Sequence, residues 1–153
     1  MERWWIDMPL LLILSWATYT DLKERVIPNR LVLIGLGYML LARLFIADQG
    51  YWQYALGAVA ASSLMYLAAL IKPGSIGGGD IKLLAVVGAA IGLRDSLIFL
   101  WLLLGIAGAF AVIGLLIWRN KKLKIPMAPF FLAANLVCLT VLQTSGVTLV
   151  MAV

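Results

Sequence analysis

The sequence predicts an all-α polytopic membrane protein with six transmembrane helices, and three observations predict it. Hydrophobic residues make up 64% of the 153-residue chain and charged residues only 12%, with a mean hydropathy of +1.04. A soluble domain would be about half apolar and about a quarter charged. The apolar residues are gathered into six runs separated by short charged or Gly/Pro-rich segments. The basic residues fall mostly in every second interval, the asymmetry that orients a chain across a bilayer.

The runs lie at 4–20, 31–47, 51–71, 81–93, 96–118 and 126–144. A spanning helix takes about 17–25 residues, and all but one run meet that length. The first opens on Trp4 and Trp5, side chains suited to a membrane interface. The second is entered through Ile27-Pro28-Asn29, with Pro28 near the first helical turn, where a missing N–H is tolerated. The third runs unbroken to Ile71. The fourth is the short one: Asp80 to Leu93 is 14 residues, ~21 Å of helix at ~1.5 Å per residue, against a hydrocarbon core ~30 Å thick. Asp80 is therefore drawn toward the membrane interior, or the bilayer thins around it. Gly88-Ala89-Ala90-Ile91-Gly92 and, in the fifth run, Gly105-Ile106-Ala107-Gly108-Ala109 offer small-residue faces for close helix packing. The sixth begins irregularly at Pro126-Met127-Ala128-Pro129-Phe130, after the basic stretch Lys121-Lys122-Leu123-Lys124.

Nine of the twelve basic residues stand in the loops after the first, third and fifth runs, or beside them: Lys23, Arg25, Arg30, Lys72, Lys82, Arg119, Lys121, Lys122 and Lys124. Arg3, Arg43 and Arg94 fall on the other side. The first group is expected in the cytoplasm and both termini outside. The same asymmetry accounts for the net charge of +5, so no nucleic-acid partner is implied; lipid is. There is no histidine, and Cys138 is the single cysteine. An internal disulfide, a Cys-x-x-Cys zinc module and the usual nitrogen and sulfur metal ligands are excluded, and no cofactor is expected. Met1-Glu2-Arg3-Trp4-Trp5-Ile6-Asp7 lacks the positive start and cleavage site of a signal peptide. Residues 1–153 are expected to form a single transmembrane domain without a soluble insertion.

Carboxylates are scarce in this chain, and two stand at the mouths of apolar runs. Asp21 follows the first run; Asp80 precedes the fourth, in Gly77-Gly78-Gly79-Asp80-Ile81-Lys82. The predicted topology puts both at the cytoplasmic face. A carboxylate at a membrane boundary is costly and points to function, and two that share a proton can split water onto a peptide carbonyl. The segment from Pro73 through Gly79 is expected to be non-helical, with Asp80 opening the next helix. It reads either as a flexible, wet cleft beside Asp80 or as a plain turn with Asp80 as N-cap. Glu24 reads as a solvated turn residue. Lys82 is expected to hold a carboxylate ionised or to bind lipid phosphate.

Taken jointly and in order, these segments resemble the type IV prepilin peptidase family of GxGD intramembrane aspartic proteases, and the resemblance covers essentially the whole chain. In that family an aspartate is followed six residues later by Ile-Pro-Asn, as Asp21 is followed by Ile27-Pro28-Asn29. A second stands in Gly-x-Gly-Asp-x-Lys, matched by Gly77 through Lys82, and a late Pro-x-x-Pro-Phe is matched by Pro126 through Phe130. The resemblance implies Asp21 and Asp80 as the catalytic pair at the cytoplasmic membrane edge. Gly77, Gly78, Gly79, Lys82, Ile27, Pro28, Asn29 and Pro129 would form or support the substrate cleft. It implies a prepilin or pseudopilin N-terminal segment as substrate and the bacterial or archaeal cytoplasmic membrane as location. Larger members carry an insertion with paired Cys-x-x-Cys motifs associated with N-methylation. This chain lacks them and resembles the short, peptidase-only branch of the Flp or tight-adherence systems, so methyltransferase activity is not expected. From the residues alone two other readings stay open: a small proton- or cation-coupled transporter, and a catalytically silent assembly factor on the same scaffold.

Overall fold

The computed structural model describes residues 4–46, 50–71, 76–118 and 127–144. The expected segments Lys72-Pro73-Gly74-Ser75 and Arg119 through Pro126 lie outside them. Six helices follow in order: α1 (Trp4–Glu24), α2 (Asn29–Phe45), α3 (Tyr51–Ile71), α4 (Gly78–Ile91), α5 (Leu93–Trp118) and α6 (Ala128–Thr144). Each coincides with one predicted apolar run. Among the described residues, Tyr51–Ile71 and Leu93–Gly114 are long and apolar enough to cross a membrane, and Ala128–Thr140 is a shorter apolar helix.

α4 is the centre of the bundle and packs against α1, α2, α3 and α5. Leu83, Leu84, Val86, Val87, Ala89 and Ala90 are all fully buried, so this helix is apolar around most of its circumference, as a core helix must be. That bears on its length. A helix enclosed by protein need not match the thickness of its surroundings, so the shortness of α4 does not by itself require a thinned bilayer. α1 presents Ile6, Leu10, Leu14, Ala17 and Asp21 to the interior, a stripe at three- and four-residue spacing. The outward faces are apolar as well: Trp101 is 77% exposed, and Leu12, Trp16, Leu33, Ile34 and Trp52 also face out. An outer surface of this kind calls for an apolar partner rather than water.

The closest approach is between α3 and α4. A methyl on Gly57 would come within 2.7 Å of the Gly88 carbonyl oxygen, and one on Gly88 would run into the Gly57 carbonyl. Only glycine permits this crossing. The second predicted small-residue face is not used this way among the described residues, none of which lies within 4 Å of where a Cβ would stand on Gly105 or Gly108. The buried residues of α5 lie nearer its start, at Ser96, Phe99, Leu100 and Leu103.

Two polar details stabilise the far ends of the helices. Pro9 lies inside α1 and has no N–H for the carbonyl four residues back. The Tyr38 hydroxyl from α2 donates to that carbonyl, Trp5 O, at 2.9 Å. Arg43, expected on the side opposite the basic loops, is only 4% exposed. Its Nε donates to Ala90 O at 2.9 Å, its Nη2 to the same oxygen, and its Nη1 to Ile46 O at 3.1 Å. The guanidinium also stacks 4.2 Å over the Tyr54 ring. The last carbonyls of α4 have no intrahelical donor, and the forked guanidinium supplies one. Gly92, at φ 89°, then turns the chain directly into α5, so Arg94 and Asp95 sit in the first turn of α5 and not in a loop.

Candidate active site

Asp21 stands in the last turn of α1 rather than beyond it, because the helix continues to Glu24. Its backbone carbonyl accepts the Arg25 N–H at 3.0 Å, and Arg25 closes the helix at φ 53°, the left-handed geometry of a helix C-terminus. Val26, Ile27 and Pro28 follow in extended chain. Pro28, at φ −63° and ψ 127°, is the N-cap of α2 and precedes its first turn.

The glycine run differs from expectation. Gly77 is the extended N-cap of α4, Gly78 and Gly79 are its first two residues, and Asp80 is its third. Glycine's penalty of about 1 kcal/mol is a penalty of helix interiors, so glycines are tolerated at this end. Asp80 is neither the N-cap nor the opening residue. Its carboxylate folds back toward the Gly77 backbone N–H, one half of a capping box. A methyl on Gly77 would stand 2.8 Å from Asp80 Oδ2.

Asp21 and Asp80 are each 8% exposed and line one cavity of ≈ 380 Å³. The three glycines form one wall and the segment from Arg25 to Asn29 another, with Lys82 at the margin. The two motifs touch. A methyl on Gly79 would meet Ile27 Cβ at 3.0 Å and Ile27 Cδ1 and Cγ1 at 3.3 Å. Lys82 Nζ donates to Asn29 Oδ1 at 2.9 Å. This bond ties α4 to the start of α2, and it uses one of the three N–H donors of the exposed ammonium.

The third motif reaches the site through its backbone. The Ala128 N–H, at the start of α6, donates to Asp21 Oδ2 at 3.0 Å. Thr18 Oγ1 lies 3.2 Å from Ala128 O and 2.7 Å from Leu14 O, pinning α6 to α1. A carboxylate at a helix N-terminus is favourably placed. Pro129 itself does not line the cavity. It occupies the first turn of α6, where a residue without an N–H leaves nothing unsatisfied. Glu24 is exposed and also outside the cavity. Arg25, Val26, Thr18 and Ala128 were not singled out from sequence as part of the site. Backbone donors and a left-handed turn residue carry no side-chain signature that would have marked them. Among the described residues no three His, Cys, Asp or Glu side chains are grouped to hold a metal.

The profile of the type IV leader peptidase family matches residues 8–153. The chain belongs to that family. It is 34% identical over 128 residues to a Prepilin leader peptidase/N-methyltransferase of Bacillus subtilis, covering 81% of this chain and 50% of the relative. It is 33% identical over 139 residues to the protein of the same description from Aeromonas hydrophila, covering 84% and 48%. To the Prepilin peptidase EppA of Methanococcus maripaludis it is 32% identical over 107 residues, covering 67% and 28%. The chain thus spans about half the length, or less, of these curated relatives. No solved structure matches it significantly.

Proposed function

We propose that this protein is a membrane-embedded aspartic endopeptidase that removes the leader from type IV prepilins or prepilin-like proteins at the cytoplasmic face. The observation that carries the reading is the shared cavity. Asp21 and Asp80 come from helices far apart in sequence, are both buried, and line one space of ≈ 380 Å³. Family membership gives the reading its substrate class: the relatives are described as prepilin peptidases. The apolar exterior and the nine-to-three distribution of basic residues support six spans with both termini extracytoplasmic. In that orientation the cavity opens at the cytoplasmic membrane edge.

The ionised carboxylate of the pair takes a proton from a water molecule as the water oxygen attacks the scissile carbonyl carbon. The protonated carboxyl gives its proton to the carbonyl oxygen, forming a tetrahedral diol. On collapse the C–N bond breaks, the amine takes up a proton, and the pair returns to one shared proton. Ala128 N–H orients Asp21, and the Gly77 backbone orients Asp80. No metal takes part in these steps.

Among the described residues, carboxylates occur only in first or last helical turns: Asp7, Asp21, Glu24, Asp80 and Asp95. A proton or cation path would want them along the bundle interior, which disfavours the transporter reading. The test is incubation with a synthetic peptide that joins a short basic leader to an apolar segment. Wild type is expected to cut it once at the junction and Asp80→Asn not to cut it; equal cleavage by both would refute the aspartate mechanism.

A further inference from the structure

Ala128, the fully buried first residue of α6, is held to α1 on both sides of its Cα. Its N–H donates to Asp21 Oδ2 at 3.0 Å, and its carbonyl oxygen lies 3.2 Å from Thr18 Oγ1. Thr18 and Asp21 are three residues apart in α1, which puts them on one face of that helix. The Thr18 hydroxyl also lies 2.7 Å from Leu14 O, the back-bond that threonine makes inside many helices. Its one proton is shared between the two oxygens. The back-bond is not needed to satisfy Leu14 O, which as a helix carbonyl accepts the N–H four residues on. The contact to Ala128 O joins residues 110 positions apart, and through it the hydroxyl reaches the site.

We propose that Thr18 is a positioning residue for the reaction: its hydroxyl fixes the start of α6, and with it the N–H that holds the Asp21 carboxylate. This rests on the peptidase reading above. With Oδ2 engaged by the Ala128 N–H, rotation of the carboxylate is restrained and Oδ1 is the oxygen left for the attacking water. A single bond from Ala128 to Asp21 would let the start of α6 pivot about it. The second contact, one turn earlier on α1, removes that freedom. Thr18 does not line the cavity, so it acts through Ala128 and Asp21. Removing its hydroxyl strands no buried carbonyl, because Leu14 O and Ala128 O each keep an intrahelical N–H. What is lost is the geometry at Asp21, not the fold.

The test uses the full chain in detergent, with Thr18→Ser and Thr18→Val beside wild type. The probe is a synthetic peptide joining a short basic leader to an apolar segment. Serine keeps the hydroxyl and loses the methyl; valine keeps the branched shape and loses the hydroxyl. The serine variant should cleave near the wild-type rate. The valine variant should lower kcat by about 10–100-fold, the scale of a ~1 Å misplacement of a catalytic group. Its KM should change little, and both melting temperatures should stay near wild type. Wild-type cleavage by the valine variant would overturn the assignment. So would an equal loss in the serine variant, which would make packing of the methyl the cause. A rise in KM at unchanged kcat, or a melting temperature that falls in step with cleavage, would overturn it too. Failure of wild type to cut any peptide would instead reject the peptidase reading itself.

Discussion

Ile27 lies against Gly79 so closely that a methyl on the glycine would stand 3.0 Å from the Ile27 Cβ. This contact joins the segment after the first aspartate to the segment before the second. It explains why two short motifs, far apart in sequence, act as one unit: the buried Ile27 side chain, 8% exposed, sets how near α4 comes to the end of α1.

Gly79→Ala should therefore reduce both thermal stability and cleavage, and its effect should couple to position 27. Ile27→Ala removes the two side-chain contacts at 3.3 Å and keeps the Cβ contact at 3.0 Å, so relief should be partial. The double variant is expected to be less destabilised than the sum of the singles, with a coupling of about 0.5–3 kcal/mol in thermal or chemical unfolding. Strict additivity would show that the two side chains do not meet.

Asp21→Asn and Asp80→Asn should each lower the rate of leader cleavage by at least about 10²–10⁴-fold, the range of a lost acid or base. An asparagine oxygen at 21 still accepts the Ala128 N–H, so the melting temperature should change little. Glu24→Gln, outside the cavity, is the comparison and should cleave normally. Substantial cleavage by either asparagine variant would take that residue out of the chemistry.

Lys82→Met separates the tether from a chemical role. An exposed lysine–amide bond contributes little, about 1 kcal/mol, so stability should fall only slightly. Because Lys82 is bonded to Asn29 and not to either aspartate, cleavage should fall less than tenfold, and Asn29→Ala should have a similar effect. A loss as deep as that of Asp80→Asn would place the ammonium in the reaction.

Arg43→Lys tests the cap at the other end of α4. The lysine keeps the charge but cannot fork onto Ala90 O and Ile46 O or stack on Tyr54 in the same way. It should lower stability by about 1–3 kcal/mol through the unsatisfied buried groups it leaves, read as a lower melting temperature. Cleavage by the folded variant should stay near wild type, since Arg43 does not line the cavity.

What the sequence determined by itself was the set of elements and the identity of the aspartates. Apolar runs bounded by charge, glycine and proline reappear as α1 to α6, because helix formation in an apolar setting follows from local composition and backbone hydrogen bonding alone. Asp21 and Asp80 stood out because carboxylates are scarce here and their flanking residues form spaced motifs. Only the tertiary structure decided what those motifs do. That Gly77 serves Asp80 and that Gly79 serves Ile27 depends on which atoms arrive from elsewhere in the chain. The same holds for Lys82 bonding Asn29, Arg43 bonding Ala90, and the backbone N–H of Ala128 reaching Asp21. Each joins residues at least 47 positions apart, and two of them end on backbone groups, which are alike at every position. Spacing along the chain records helices and turns; it does not record which helix end meets which side chain, because packing in three dimensions chooses that.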